Sequence, residues 1–110
     1  MNEALASYAF LQGMYDDGYF PNHVVDKGKA ILLRLCDRIE AERPADLKAL
    51  YVLTHAATEE FNDLESDFDE AGSELETVAR EVIAEDFWAI ANAYGFADAD
   101  IEDLIATRDW

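Results

Sequence analysis

The chain has 110 residues, 51% of them hydrophobic, with 25 acidic against 8 basic side chains and a formal net charge of −17. That much apolar material excludes a disordered polymer, and the length is that of one domain, residues 1–110. A field of this sign repels nucleic-acid backbones and anionic membranes, so neither is an expected partner.

The apolar spacing is helical almost throughout. A first helix is expected over Glu3–Met14, followed by a turn at Asp16, Asp17 and Gly18. The next runs from Pro21 to Glu42 on Val24, Val25, Ile31, Leu32, Leu35, Cys36 and Ile39, widened by Leu33 into a central helix that Pro44 ends. Pro21 suits its first turn, and Asn22 is the cap if it starts slightly later. Asp46 is the N-cap of a third helix with the stripe Leu47, Leu50, Leu53, Ala57, Phe61 and Leu64. In SELE, Ser73 and Glu76 have capping-box spacing, ahead of Leu75, Val78, Ala79, Val82, Ile83, Phe87, Ile90 and Tyr94. Gly95 followed by Phe96 is a helix stop, and Asp98 or Asp100 caps a last short helix with Ile101, Leu104 and Ile105. Phe87 and Trp88 lie about 100° apart on a helix, so the fourth helix is either enclosed on two sides, the favoured reading, or presents Trp88 at an interface. No run alternates with period two. The fold class expected is all-α, a compact irregular bundle of about five helices.

Chemistry is sparse. The Glu-x-x-His pairs of carboxylate-bridged metal bundles are missing, since Val52 and Phe20 stand three residues before His55 and His23. His55 and Glu59 are one helical turn apart, but two ligands do not make a site. The half-acidic stretch EEFNDLESDFDEAGSELE (59–76) misses a calcium loop in either register, with Phe68 at the glycine position from Asp63, and Ala71 and Val78 at ligand positions from Asp67. Cys36 sits in the apolar run AILLRLC and reads as a buried thiol. Arg34, between Leu33 and Leu35, reads as one end of an inter-helix ion pair, the sharper alternative being a pocket arginine for an anion. Catalytic residues, metal and cofactor are accordingly assigned as none. One cysteine allows no intramolecular disulfide, no Lys or Arg before Lys27 starts a secretory leader, and no apolar run reaches the roughly 18–20 residues of a membrane span. A soluble cytoplasmic protein is expected.

Two surfaces stand out. One is the acidic run Glu59, Glu60, Asp63, Glu65, Asp67, Asp69 and Glu70, suited to a basic partner. The other is the segment MYDDGYFPNHVVDKGKA (14–30), where Tyr15, Asp16, Asp17, Tyr19, His23 and Gly28 could line one shallow cleft. Gly28 falls inside a helix, where it costs about 1 kcal/mol against Ala, and is retained where a neighbour or a ligand comes too close for a methyl group. MYDDGYFPNHVVDKGKAILLRLCDRIEAERP, EDFWAIANAYGF and DADIEDLIATRDW resemble a family of small acidic bacterial proteins containing a domain of unknown function, over nearly the whole chain. The resemblance implies a compact domain and brings no catalytic residues with it.

Three functions follow as expectations. The first is a binding or inhibitory module of immunity-protein or antitoxin type, engaging a basic partner through residues 59–70. The second is a small-ligand or enzymatic domain with its cleft around residues 15–28. The third is a homodimeric subunit of a larger assembly; the chain is otherwise a monomer.

Overall fold

The computed structural model describes residues 2–110, in which six helices and no strand occur. They are α1 (Glu3–Ala6), α2 (Gln12–Asp16), α3 (Asn22–Glu42), α4 (Leu47–Glu70), α5 (Thr77–Ala93) and α6 (Ile101–Leu104). The all-α class holds. The helical hairpin of α3 and α4 is the most extensive pairing, and α5 packs against α1, α2 and α6. Among the described residues no helix is long and apolar enough to cross a membrane.

The hairpin follows the sequence closely. α3 buries Val24, Val25, Ile31, Leu32, Leu35, Cys36 and Ile39 as its spacing requires. Pro21, not Asn22, occupies its N-cap, and Arg43 ends it in the left-handed region at φ 46°. Asp46 caps α4, its side chain accepting from the Ala49 N–H at 2.8 Å. Gly28 is buried where α3 meets its neighbours. A methyl group there would stand 3.0 Å from both Leu11 Cδ1 and Phe61 Cε1. Close packing therefore accounts for this glycine.

Two local expectations are corrected. Ser73 does not cap α5, which begins at Thr77 with Glu76 at its N-cap. Instead the serine closes α4. Gly72 takes φ +81° and donates to the Asp69 carbonyl, while the Ser73 N–H donates to that of Phe68 at 2.8 Å. This is the paired hydrogen-bond pattern of a glycine-terminated helix, and it turns Ser73 inward. Gly95 and Phe96 stop α5 in the same way, as expected, with Phe96 N–H on the Ala91 carbonyl. Nor is α5 enclosed all round. Phe87 is fully buried, but Trp88 is 41% exposed and Val78 45% exposed; the covered arc carries Ala79, Ile83, Ala84, Asp86, Phe87, Ile90 and Ala91, and Trp88 lies outside it.

The expected first helix, Glu3–Met14, is two helices with a break between them. Asp86, itself buried on α5, makes the break. Its carboxylate accepts the Tyr8 hydroxyl at 2.7 Å and the Leu11 N–H at 2.6 Å. Leu11 is left at φ 58°, a strained conformation for a branched residue, with its side chain buried over Gly28. A continuous helix would commit the Leu11 N–H to the Ser7 carbonyl and leave the buried carboxylate with one donor fewer.

Burial raises the Asp86 carboxyl above its ordinary value of 3.8, against the lowering effect of its two hydrogen bonds. A raised acid binds its proton more tightly folded than unfolded. Its contribution to stability is thus fully present below about pH 3.8 and is lost as the pH rises through the folded value. Asp86→Asn removes this titration, so its stability, measured by urea unfolding, falls less steeply with rising pH than the parent's. At neutral pH the same variant is destabilised by about 1–3 kcal/mol, because one of the two donors loses its acceptor. Gly28→Ala lowers the melting temperature: helix propensity returns about 1 kcal/mol, but displacing two buried side chains costs about 1–3 kcal/mol.

Candidate binding site

The acidic residues of α4 divide between two sides of the helix. Glu60, Asp63, Asp67 and Glu70 recur at three and four residues along the side toward α3. There Glu60 pairs with Arg34 at 2.8 Å and Asp67 with Lys27 at 2.8 Å, both at the surface. The inter-helix ion pair expected of Arg34 is thus present, on an exposed side chain. Asp63 lines a shallow groove beside these pairs, Glu70 lies near His23, and Glu59 faces solvent. Glu65 and Asp69, one turn apart, look the other way.

The segment around residues 15–28 is only partly brought together. The Tyr15 hydroxyl donates to Asp26 at 2.5 Å, and burial followed by that bond pushes its pKa up to about 12. Asp16 accepts from the Gln12 side chain, and Asp17 accepts from the Tyr19 N–H at 3.0 Å to close the turn. Tyr19 stacks edge-on against Phe20, which packs against Phe68. His23 belongs to a separate depression with Lys27, Asp67 and Glu70, and Gly28 is covered by Leu11 and Phe61. Cys36 is fully buried, and burial raises its thiol to about 11, out of reach of neutral-pH thiolate chemistry.

Glu65 and Asp69 open onto a depression of about 510 Å³ that residue spacing did not suggest. Glu74 and Asp109 add two further carboxylates, and Ser73, Arg80 and Trp110 line the same hollow. Among the described residues, none of these four acids is in an ion pair, and neither is Arg80. Three elements build the wall. The α4 stop turns Ser73 inward. The first turn of α5 supplies Arg80. A polar seam along α4 holds down the C-terminal segment: His55 Nε2–H donates to the Asp103 carbonyl at 2.6 Å, Thr107 Oγ donates to the His55 carbonyl, and Asn62 binds the backbone of Thr107 and Asp109. His55, whose spacing to Glu59 hinted at a metal, is spent on this seam. Trp110 then packs on Phe61, ring centroids 6.2 Å apart.

The hollow has a distinctive chemistry. Ser73 Oγ, Arg80 Nε and Trp110 Nε1 are buried and have no hydrogen-bond partner, and all three residues line this one depression. Ser73 is 2% exposed and Trp110 7%. Buried polar groups are nearly always paired, and an unpaired one costs about 1–3 kcal/mol, so three together need a physical reason. Each can donate a hydrogen bond. The arrangement offers donors on the inside and carboxylates around them. Among the described residues no group of three or more His, Cys, Asp or Glu side chains is placed to hold a metal ion.

The profile of a family of unknown function (DUF5713) matches residues 4–110, nearly the whole chain. The chain belongs to that family. No curated protein matches the chain. No solved structure matches it either. Membership in DUF5713 carries no assigned activity, so the reading of the hollow rests on its own geometry. Sequence reasoning passed over Ser73, taken for a cap, and Arg80, Glu74, Asp109 and Trp110. The available signal was Arg80, one of only three basic residues after Pro44.

Ser73→Ala removes a buried hydroxyl without a partner and is expected to stabilise the protein by about 1 kcal/mol, read as a raised melting temperature. A lowered one would show that the hydroxyl is already satisfied.

Proposed function

We propose that this chain is a small acidic binding or inhibitory module, of bacterial immunity-protein or antitoxin type, that engages a basic protein partner in the cytoplasm. The observation that supports the reading best is the set of unpaired carboxylates Glu65, Asp69, Glu74 and Asp109 around one hollow. Four carboxylates against the single charge of Arg80, none of them in an ion pair among the described residues, raise one another's electrostatic energy, and a cationic surface relieves that repulsion as it binds. The α3 side of α4 is the weaker docking face, because Lys27 and Arg34 already neutralise Asp67 and Glu60.

The test compares two charge-neutralised variants as bait for lysate of the source cells. One carries Glu65→Gln, Asp69→Asn, Glu74→Gln and Asp109→Asn; the other carries Glu59→Gln, Glu60→Gln, Asp63→Asn and Asp67→Asn. The parent is expected to retain a stoichiometric basic protein and release it at moderate salt, since exposed charge is screened within about 10 Å at 0.1 M. The first variant loses this protein and the second keeps most of it. Equal retention by both variants, or no basic protein on the parent, refutes the reading.

A homodimer is the second reading, favoured by the exposure of Trp88 on the outer face of α5. A dimer mass in light scattering that Trp88→Ala reduces to the monomer value would support it, and a monomeric parent would dismiss it.

A further inference from the structure

A second, smaller depression adjoins the first. It measures about 230 Å³, is floored by Ala84, Ile101 and Ile105, and is rimmed by Glu81 and Glu85, which are in no ion pair among the described residues, and by Glu102, which Arg108 already holds at 3.2 Å. Arg80 lines both hollows. The smaller one lies below the roughly 300–1,000 Å³ that drug-sized ligands occupy, and is of a scale for one side chain. Its composition is specific. An apolar floor under a carboxylate rim suits a side chain with a hydrocarbon stem and a cationic tip, which is lysine or arginine. The larger hollow supplies what such a residue's backbone lacks once it leaves water, namely donors for its carbonyl oxygens. Ser73 Oγ, Arg80 Nε and Trp110 Nε1 are three such donors, unpartnered and buried in the free protein.

We infer that the basic partner docks as an extended segment across the first turns of α5, with one lysine or arginine side chain in the smaller hollow and main-chain carbonyls on Ser73, Arg80 and Trp110. This rests on the reading of the chain as a module for a basic partner, and it adds a requirement that charge alone does not make. A purely cationic molecule satisfies the carboxylates but leaves the three donors as they were. A peptide satisfies both. Burying a donor with its acceptor is also more selective than pairing exposed charges, because a ligand without the acceptor forfeits the hydrogen bond and leaves the donor orphaned.

The experiment titrates the full ¹⁵N-labelled chain with two probes and follows the side-chain N–H resonances of Trp110 and Arg80. One probe is an acetylated, amidated pentapeptide of alternating alanine and lysine; the other is spermine, a polyamine with no carbonyl. The peptide is expected to move both side-chain resonances and the amides near Ser73 and Ala84, while spermine moves only amides beside the carboxylates. Ser73→Ala then weakens the peptide about three- to tenfold and leaves spermine unchanged, even though the variant itself melts higher. Ala84→Leu, which fills the smaller hollow, weakens the peptide at least about fivefold with little effect on spermine. Peptide binding that leaves Trp110 and Arg80 unmoved, or that survives both substitutions, overturns this mode of docking while the basic-partner reading stands. Failure of both probes to bind overturns the two together.

Discussion

The structure turns on Phe61. This one ring, 1% exposed near the middle of α4, packs on the backbone of α3 at Gly28, on Phe87 of α5 with centroids 6.0 Å apart, and on Trp110 at 6.2 Å. It is where the hairpin, the crossing helix and the end of the described chain meet. Gly28 lets the ring approach, and Leu11 closes over the same glycine from the N-terminal segment. A fully buried aromatic of this kind contributes on the order of 2–3 kcal/mol by burial alone. Its larger effect is geometric. Trp110 reaches the wall of the hollow because Phe61 gives its indole a surface to lie on, so the candidate site inherits its shape from the core.

Polar groups set what the apolar core leaves open. Hydrophobic spacing over residues 3–14 is satisfied equally well by one straight helix, and it is Asp86 that selects the broken form. A buried carboxylate with two acceptor oxygens needs donors, and the nearest are a tyrosine hydroxyl and a main-chain N–H that a regular helix would have used internally. The seam of His55, Asn62 and Thr107 does the same for the C-terminal segment, whose short α6 could not hold its place by propensity. Both devices pair residues far apart in sequence.

That separation explains what could be read beforehand. The stripes of α3 and α4, the Asp46 cap, the Gly95–Phe96 stop and the all-α class are local or periodic, and 3.6-residue spacing reports them directly. Ser73 was misread because two local rules compete there. SELE satisfies capping-box spacing, but Gly72 one residue earlier favours a helix stop that needs the Ser73 N–H, and the stop is what forms, satisfying the last carbonyls of α4. Trp88 was misplaced because spacing gives the angle between neighbouring side chains without saying how many faces of a helix find partners. The acidic run was legible as composition only. Which acids are neutralised depends on where α3 sets Lys27 and Arg34, a matter of tertiary register.

The same register gives the charge of −17 a direction. On the side where α3 and α4 meet, cations from residues 21–44 face acids from α4, and the surface is mixed. On the side where α4 meets the start of α5 and the C-terminal segment, all contributing stretches come from the acid-rich part of the chain. Among the described residues two cations stand there: Arg108, paired with Glu102 at 3.2 Å, and Arg80, which lines both hollows and is committed to no carboxylate. A half-buried arginine among unpaired acids would ordinarily swing to the nearest one, since even a surface pair is worth a few tenths of a kcal/mol. Its side chain is instead held with Nε facing no acceptor, next to a serine and an indole in the same condition. Solubility accounts for acids on a surface, but it does not account for three buried donors left unsatisfied beside them. The proposed recognition of a group that brings both positive charge and acceptor oxygens would account for both.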